Sequence, residues 1–194
     1  MSSDERADAE NLELIRRMAS RDAAALDALY ERYHRLVFSL VLRIIRIRED
    51  AEDIVVDVFW QAWQQAGRYD ASRGKPVSWL LTIARTRAID ALRSSNRHAV
   101  NVSQTIKTDS SEDRQPAAVA DNPGNPGILA ETRQAVRAAL KTLPEQQRIP
   151  LEMAYFEGMT HTEIAESLNQ PLGTMKDRIR TGMSHLRRQL KAYL

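Results

Sequence analysis

The sequence predicts an all-α protein of two small helical domains joined by a flexible linker, the C-terminal one a helix-turn-helix. Three observations carry that expectation. Apolar residues recur at three- and four-residue steps in two separate blocks, the period of helices with one buried face. Between the blocks, residues 100–127 are rich in Ser, Thr, Asp, Asn, Gln and Pro, and Pro116, Pro123, Gly124, Pro126 and Gly127 prevent a continuous helix. The second block closes with a short helix, a break and a basic helix. The domains are therefore placed at 1–99 and 128–194, with the linker at 100–127, because a structureless connection of that length is unusual inside one compact domain.

The first block reads as four helices. Residues 11–20 form the first and 22–47 the second, which carries Leu26, Leu29, Tyr30, Tyr33, Leu36, Val37, Leu40 and Val41 at helical spacing. The third, 48–66, gathers Ala51, Ile54, Val55, Val58, Phe59, Ala62 and Ala66 on one face. Its far side is acidic, with Glu49, Asp53 and Asp57 on a four-residue row and Gln61 and Gln64 nearby. A loop, 67–76, carries Tyr69, Asp70, Arg73, Gly74 and Lys75. The fourth helix, 77–97, opens on Trp79 and buries Leu80, Ile83, Ala84, Ala88, Ala91 and Leu92, while Arg85, Arg93 and Arg97 share another row with Arg87 beside it. Arginines next to aromatic rings suit phosphate contact and stacking on unpaired bases. The same residues also suit a solvated arginine face over a core that takes Tyr69 and Trp79, and for Trp79 burial is the favoured place.

In the second block a helix opens at Glu145 after Leu143-Pro144 and ends at Tyr155-Phe156-Glu157-Gly158. Pro150 lies inside it; an interior proline removes one backbone bond and costs about 3 kcal/mol in a regular helix, so a kink or a late start is expected. Thr160 and Glu163 form an S/T-x-x-E capping box, and Ile164, Ala165 and Leu168 give the helix that follows a buried face. Asn169, Pro171 and Gly173 break it. A second helix restarts at Thr174 with Met175, Ile179, Met183, Leu186 and Leu190 as its packed face. Its other sides carry Lys176, Arg178, Arg180, Arg187, Arg188 and Lys191 against the single acid Asp177. A short helix, a tight turn and a basic helix are what the DNA major groove admits. Such a pair also occurs in all-α proteins whose cationic face is only solvated surface.

Composition narrows the function. The 194 residues suffice for one large domain or two small ones. With 28 basic and 26 acidic side chains the net charge is only +2, yet the signs are segregated. Acids gather at Asp4 to Glu13, at Glu49 to Asp57 and in the linker, and bases at Arg85 to Arg97 and in the last helix, as suits one polyanionic and one basic partner. Cysteine is absent, and His34, His98, His161 and His185 lack ligand spacing, so no metal and no cofactor is expected. The acidic amino terminus is unlike a signal peptide. The longest apolar stretch, 36–45, is interrupted by Ser39 and Arg43 and is too short to cross a bilayer, so a soluble cytoplasmic protein is expected. No phosphate loop, nucleophile elbow or HExxH pair appears, so neither an enzyme nor a small-molecule substrate is expected.

Several motifs agree in register with a known family. The run Asp50-Ala51-Glu52-Asp53-Ile54-Val55-Val56-Asp57-Val58-Phe59-Trp60-Gln61-Ala62-Trp63, then Tyr69-Asp70-Ala71-Ser72-Arg73-Gly74 and Trp79 to Arg93, resembles the sigma-two domain of bacterial sigma factors. The segment 143–190, with Tyr155-Phe156-Glu157-Gly158 and Leu172-Gly173-Thr174-Met175-Lys176, resembles their sigma-four domain. Order, spacing and the missing domain between them match the extracytoplasmic-function (ECF) group. The resemblance implies a specificity subunit that docks on core RNA polymerase, at the beta-prime clamp helices and the beta flap, and directs it to promoter DNA. It implies that Asp50, Asp53, Asp57 and Gln61 bind polymerase. Tyr69, Lys75, Trp79, Arg85, Thr86 and Arg87 would melt and read the minus-ten element, with Arg93 and Arg97 on backbone phosphates. Thr174, Lys176, Asp177, Arg180 and Thr181 would meet the minus-thirty-five element, anchored by Arg178, Arg187 and Arg188. The linker resembles the segment such proteins thread through the active-centre channel, its acids mimicking nucleic acid there; a plain tether fits the composition equally. An anti-sigma protein is the implied regulator, covering the face at Asp53 and Asp57 or wedging between the domains.

Two positions depart from the family pattern: Asp177 stands where Ser is common and Thr86 where Asn is frequent. The alternative reading is a stand-alone helix-turn-helix regulator whose first block dimerises or binds an effector. It leaves the acidic third helix and the arginine-rich fourth without a purpose. A small helical enzyme is disfavoured, because no acid, base, nucleophile and metal set converges by spacing.

Overall fold

The apolar repeats of both blocks fold as helices in the computed structural model, which describes residues 3–103 and 128–190, with side chains described over 6–95 and 134–190. The chain divides into two compact units, Met1–Gly124 and Asn125–Leu194. The first holds α1 (Ser3–Ala19), α2 (Ala23–Ile45), α3 (Arg48–Gln65) and α4 (Pro76–Ser103), with short 3-10 turns Ala66–Arg68 and Ala71–Arg73 between α3 and α4. The second holds α5 (Ile128–Thr142), α6 (Glu145–Phe156), α7 (His161–Ser167) and α8 (Leu172–Gln189). The expected linker lies outside the described residues apart from 100–103, which continue α4.

Polar residues set the helix ends of the first unit. α1 closes in a Schellman turn: Asp22 N bonds to Arg17 O and Arg21 N to Met18 O, with Arg21 in the left-handed region at φ 66°. Asp22 then caps α2, accepting from Ala24 N at 3.1 Å and from Arg17 Nε at 2.8 Å. Arg46 ends α2 in the same left-handed conformation, its N–H on Leu42 O. A non-glycine residue there costs roughly 1–2 kcal/mol, which the recovered carbonyl bonds offset.

α2, α3 and α4 share one core. Val37 and Val41 of α2, Val58 of α3 and Leu80 of α4 are sealed from solvent, and Ala51, Ala62, Ala84 and Ala88 let the helices approach closely. α1 closes the unit with Ile15 and Met18. Each fully buried Val or Leu here contributes about 1.5–3 kcal/mol. One buried polar residue joins α1 to α2: Asn11 Nδ2 donates to Tyr33 Oη at 2.6 Å, and Asn11 Oδ1 accepts from Arg32 Nη1 at 2.9 Å. Burial pushes the Tyr33 phenol up from its usual 10.0.

Several boundaries differ from the sequence reading. α1 begins at Ser3 rather than Asn11. α4 runs past Arg97 to Ser103. α5 was not foreseen as a helix, although Val136, Ala139, Leu140 and Leu143 carry helical spacing; Ala139 and Leu143 are buried. α6 starts at Glu145 and continues across the buried Pro150, so there is no late start. α8 starts at Leu172, not Thr174, with Pro171 preceding it. The missing proline N–H costs nothing there, since the first N–H groups of a helix have no intrahelical partner.

The packed face of α8 also turns. Met183 is 49% exposed, and Gly182 takes its place against α6, where an added Cβ would lie 3.3 Å from Leu151 Cδ1 and 3.4 Å from Gln147 Cβ. A residue without a side chain lets the two helices close, so the packed stripe runs through the buried Met175 and Gly182 with the half-buried Ile179 between them.

Candidate nucleic-acid interface

The 67–76 loop is built by local bonds that aim two aromatic rings. Asp70 accepts from Ser72 N at 2.9 Å and Ser72 Oγ at 2.7 Å, starting the second 3-10 turn; these bonds hold its carboxyl below the usual 3.8. Gly74 adopts φ 150°, ψ 170°, a glycine-only region, and Tyr69 Oη donates to its carbonyl at 2.7 Å. Tyr69 then meets Trp79 edge-on at 5.3 Å between centroids. A pocket of about 310 Å³ opens beside them, lined by Arg68, Tyr69, Asp70, Arg73, Trp79 and Thr82 among others. Trp79 is neither fully core nor fully solvated, for it is half-buried and lines this pocket.

Lys75, expected on the same surface, has its Nζ 3.1 Å from Asp8 Oδ2 of α1. Burial, then Asp8 and Asp70, push the Tyr69 phenol above its usual 10.0.

Along α4, Arg87 and Arg93 are exposed and Arg85 is half-buried. Thr86 is exposed, but its hydroxyl donates to Thr82 O at 2.9 Å, and Thr82 in turn donates to Ser78 O at 2.7 Å. Thr86 therefore presents a methyl and oxygen lone pairs where an Asn would present an amide donor and acceptor. The Arg97 side chain lies outside the described residues.

On α3, Asp50, Asp53 and Asp57 are exposed and Gln61 is half-buried. Gln61 Oε1 accepts from Arg87 Nε, so two residues assigned to different surfaces touch. Sequence reading missed Val56 and Trp60, which are 63% and 56% exposed one turn apart beside the carboxylates. Their signal was available: both fall out of register with the buried stripe of α3. Exposed apolar side chains rimmed by charge mark interaction surfaces.

In the second unit the capping box forms as expected. Thr160 N donates to Glu163 Oε2 and Glu163 N donates to Thr160 Oγ1. α7 closes in a Schellman turn with Asn169 at φ 49°, Gln170 N on Ala165 O and Asn169 N on Glu166 O. Ile164, Ala165 and Met175 then lock α7 to α8, with Met153, Met159, Leu168 and Ile179 around them. Docked this way, α8 exposes Lys176, Asp177, Arg180, Thr181, Arg187 and Arg188, while Thr174 and Arg178 are half-buried. Arg180 Nη2 lies 3.0 Å from Asp177 Oδ1, so the acid of this face is paired one turn away.

Among the described residues no group of His, Asp or Glu could hold a metal ion, and no helix is long and apolar enough to cross a membrane.

Family models for sigma-70 region 2 and sigma-70 region 4 match residues 29–98 and 133–186. The ECF RNA polymerase sigma factor SigK of Mycobacterium sp. (strain JLS) is 34% identical over 178 residues, 90% of this chain and 87% of that protein. SigK of Mycolicibacterium vanbaalenii is 35% identical over 179 residues, 91% of this chain and 87% of that protein. Among solved structures, Rhodobacter sphaeroides SigE in complex with the anti-sigma ChrR is 29% identical over 93% of this chain and 98% of that chain, with a TM-score of 0.46.

Proposed function

Because this chain belongs to the ECF RNA polymerase sigma factors, we propose that its helices divide promoter recognition among three surfaces, without catalysis of their own. The chain directs core polymerase to specific promoters and promotes DNA melting at initiation. The observation that carries the division is the pocket beside Tyr69 and Trp79. At about 310 Å³ it is on the scale of the smallest ligand pockets, roughly 300 Å³, and its wall combines an aromatic pair with Arg68 and Arg73. Unstacking a base costs a few kcal/mol, which an aromatic platform and a confining pocket offset. Tyr69 and Trp79 take an unpaired minus-ten base there. Arg85, Arg87, Arg93 and Arg97 follow the backbone, Thr86 offers an acceptor, and Lys75 supports the loop.

The second surface is the outer face of α3, where the exposed Asp50, Asp53 and Asp57 lie alongside the exposed Val56 and Trp60. It docks on the beta-prime clamp helices of core polymerase, with the apolar pair as anchor and the acids selecting a basic partner. The third is α8, docking in the major groove of the minus-thirty-five element. Thr174, Lys176, Asp177, Arg180 and Thr181 face base edges, and Arg178, Arg187 and Arg188 hold phosphates. The first unit thus serves docking and melting, and the second serves duplex reading and contact with the beta flap. The protein works in the cytoplasm, and an anti-sigma protein that covers the α3 face keeps it from polymerase.

Binding to purified bacterial core RNA polymerase, followed by size-exclusion chromatography, tests the docking face. Stoichiometric binding that the Asp53→Arg, Asp57→Arg double variant loses is the expected result. Full binding by the double variant would move docking elsewhere. No binding by wild type, with dimeric, sequence-specific duplex binding by the chain alone, would return the helix-turn-helix regulator.

A further inference from the structure

Asp8 of α1 reaches across to the promoter-reading loop. Its Oδ2 lies 3.1 Å from Lys75 Nζ, with the two side chains 30% and 45% exposed, a partly screened pair rather than one in open water. A cleft of about 340 Å³ separates the two elements, lined by Ala9 and Leu12 of α1 and by Tyr69, Ala71 and Pro76 from the other side. Tyr69 lines both this cleft and the pocket it shares with Trp79. The ring thus stands between two openings, packed edge-on against Trp79 and tied by its hydroxyl bond to Gly74 O. The residue after Gly74, Lys75, is anchored to α1 by its ion pair with Asp8.

We propose that Asp8 is a positioning residue of the minus-ten reader, holding the loop through Lys75 so that Tyr69 keeps the pocket open for an unpaired base. This rests on the minus-ten reading given above. An acid near a surface that binds phosphates otherwise opposes affinity, so its removal separates two effects of opposite sign. Sequence-independent attraction to DNA rises, and discrimination at the captured base falls. A purely electrostatic role moves only the first; a purely structural role lowers the melting temperature and leaves the second unchanged.

The test uses the full chain assembled with bacterial core RNA polymerase. The wild-type holoenzyme first selects a promoter from randomised duplex DNA. The probes are then fork-junction DNAs of that promoter, single-stranded through the minus-ten non-template strand, either intact or abasic at each base in turn. The largest abasic penalty expected for wild type is about tenfold or more, the scale of one base stacked on an aromatic side chain. For Asp8→Ala it falls to about threefold or less, while binding to promoter-free duplex tightens. Asp8→Asn serves in its place if the alanine variant does not fold. Exchanging the charges, Asp8→Lys with Lys75→Asp, restores the penalty; being a ratio of two probes, it is unaffected by the lost cation. No abasic penalty in wild type overturns the base-capture reading and this proposal with it. A wild-type penalty that survives in Asp8→Ala overturns the proposal alone, as does a loss that the charge exchange leaves unrepaired.

Discussion

Arg87 Nε donates a hydrogen bond to Gln61 Oε1, joining α4 to α3 between the surfaces proposed for minus-ten reading and for polymerase docking. The bond occupies a side chain on each. It gives the first unit a direct tie between α3 and α4 that no pattern within either helix contains.

The two residues should therefore couple. A double-mutant cycle with Gln61→Ala and Arg87→Ala, read on urea unfolding, is expected to give an interaction of about 1 kcal/mol. Trp60, Trp63 and Trp79 all lie in the first unit and report on it by fluorescence. Additive single effects would mean that the pair contributes nothing in solution.

On α8 the arginines should separate by kind of contact. Arg180 is paired with Asp177 at 3.0 Å; on its proposed base-reading role, Arg180→Ala should cost about 1–3 kcal/mol and relax preference at one position of the minus-thirty-five element. Arg188→Ala should weaken binding across all sequences and reduce the salt slope by about 1. Holoenzyme binding to a randomised upstream element, titrated with salt, checks both; identical profiles for the two variants would contradict the assignment.

At the α6–α8 crossing, Gly182→Ala should be nearly neutral, because the contact at 3.3 Å is the end of a leucine side chain and alanine favours helix by about 1 kcal/mol. Gly182→Leu should cost about 1–3 kcal/mol by overpacking. Gln147 Oε1 is buried beside it without a hydrogen-bond partner, so Gln147→Met should be neutral or stabilising. Amide exchange of α6 and α8 measures all three, and faster exchange in Gln147→Met would contradict the last.

Acid should loosen the α1–α2 corner. Arg17 holds the Asp22 carboxyl below its usual 3.8, aided by the Ala24 and Ala25 amides. A folded pKa below the unfolded one stabilises fully above the unfolded value, and the contribution is lost as pH falls through the folded value. The stability gap between wild type and Asp22→Asn should therefore be constant near neutrality and close below about pH 4. Tryptophan-monitored urea midpoints across that range test it; a gap that widens in acid would reverse the sign.

Much of this protein was legible in one dimension, for identifiable reasons. Leu29, Val37 and Val41 on α2, and Ala51, Val58 and Ala62 on α3, read as buried and are buried, because helical period alone decides which side chains share a face. Thr160 with Glu163 announced α7, because a capping box is made within four residues. α5 escaped because its start adjoins a stretch rich in proline and glycine, and composition outweighed a helical spacing that was present. Arg21 and Arg46 in left-handed caps had no signal at all, since arginine does not favour that conformation.

What the sequence by itself determined is the helices other than α5, most of their buried faces, and the supply of arginines, aromatics and carboxylates, all consequences of local spacing. The tertiary structure alone decided which of these meet. Asp8 reaches Lys75, Arg87 reaches Gln61, Tyr69 turns its edge to Trp79, and Gly182 displaces Met183 from the packed face. Such contacts depend on the angle and separation at which helices cross. That geometry is set by the volumes of side chains on both partners at once, and no single helix encodes it.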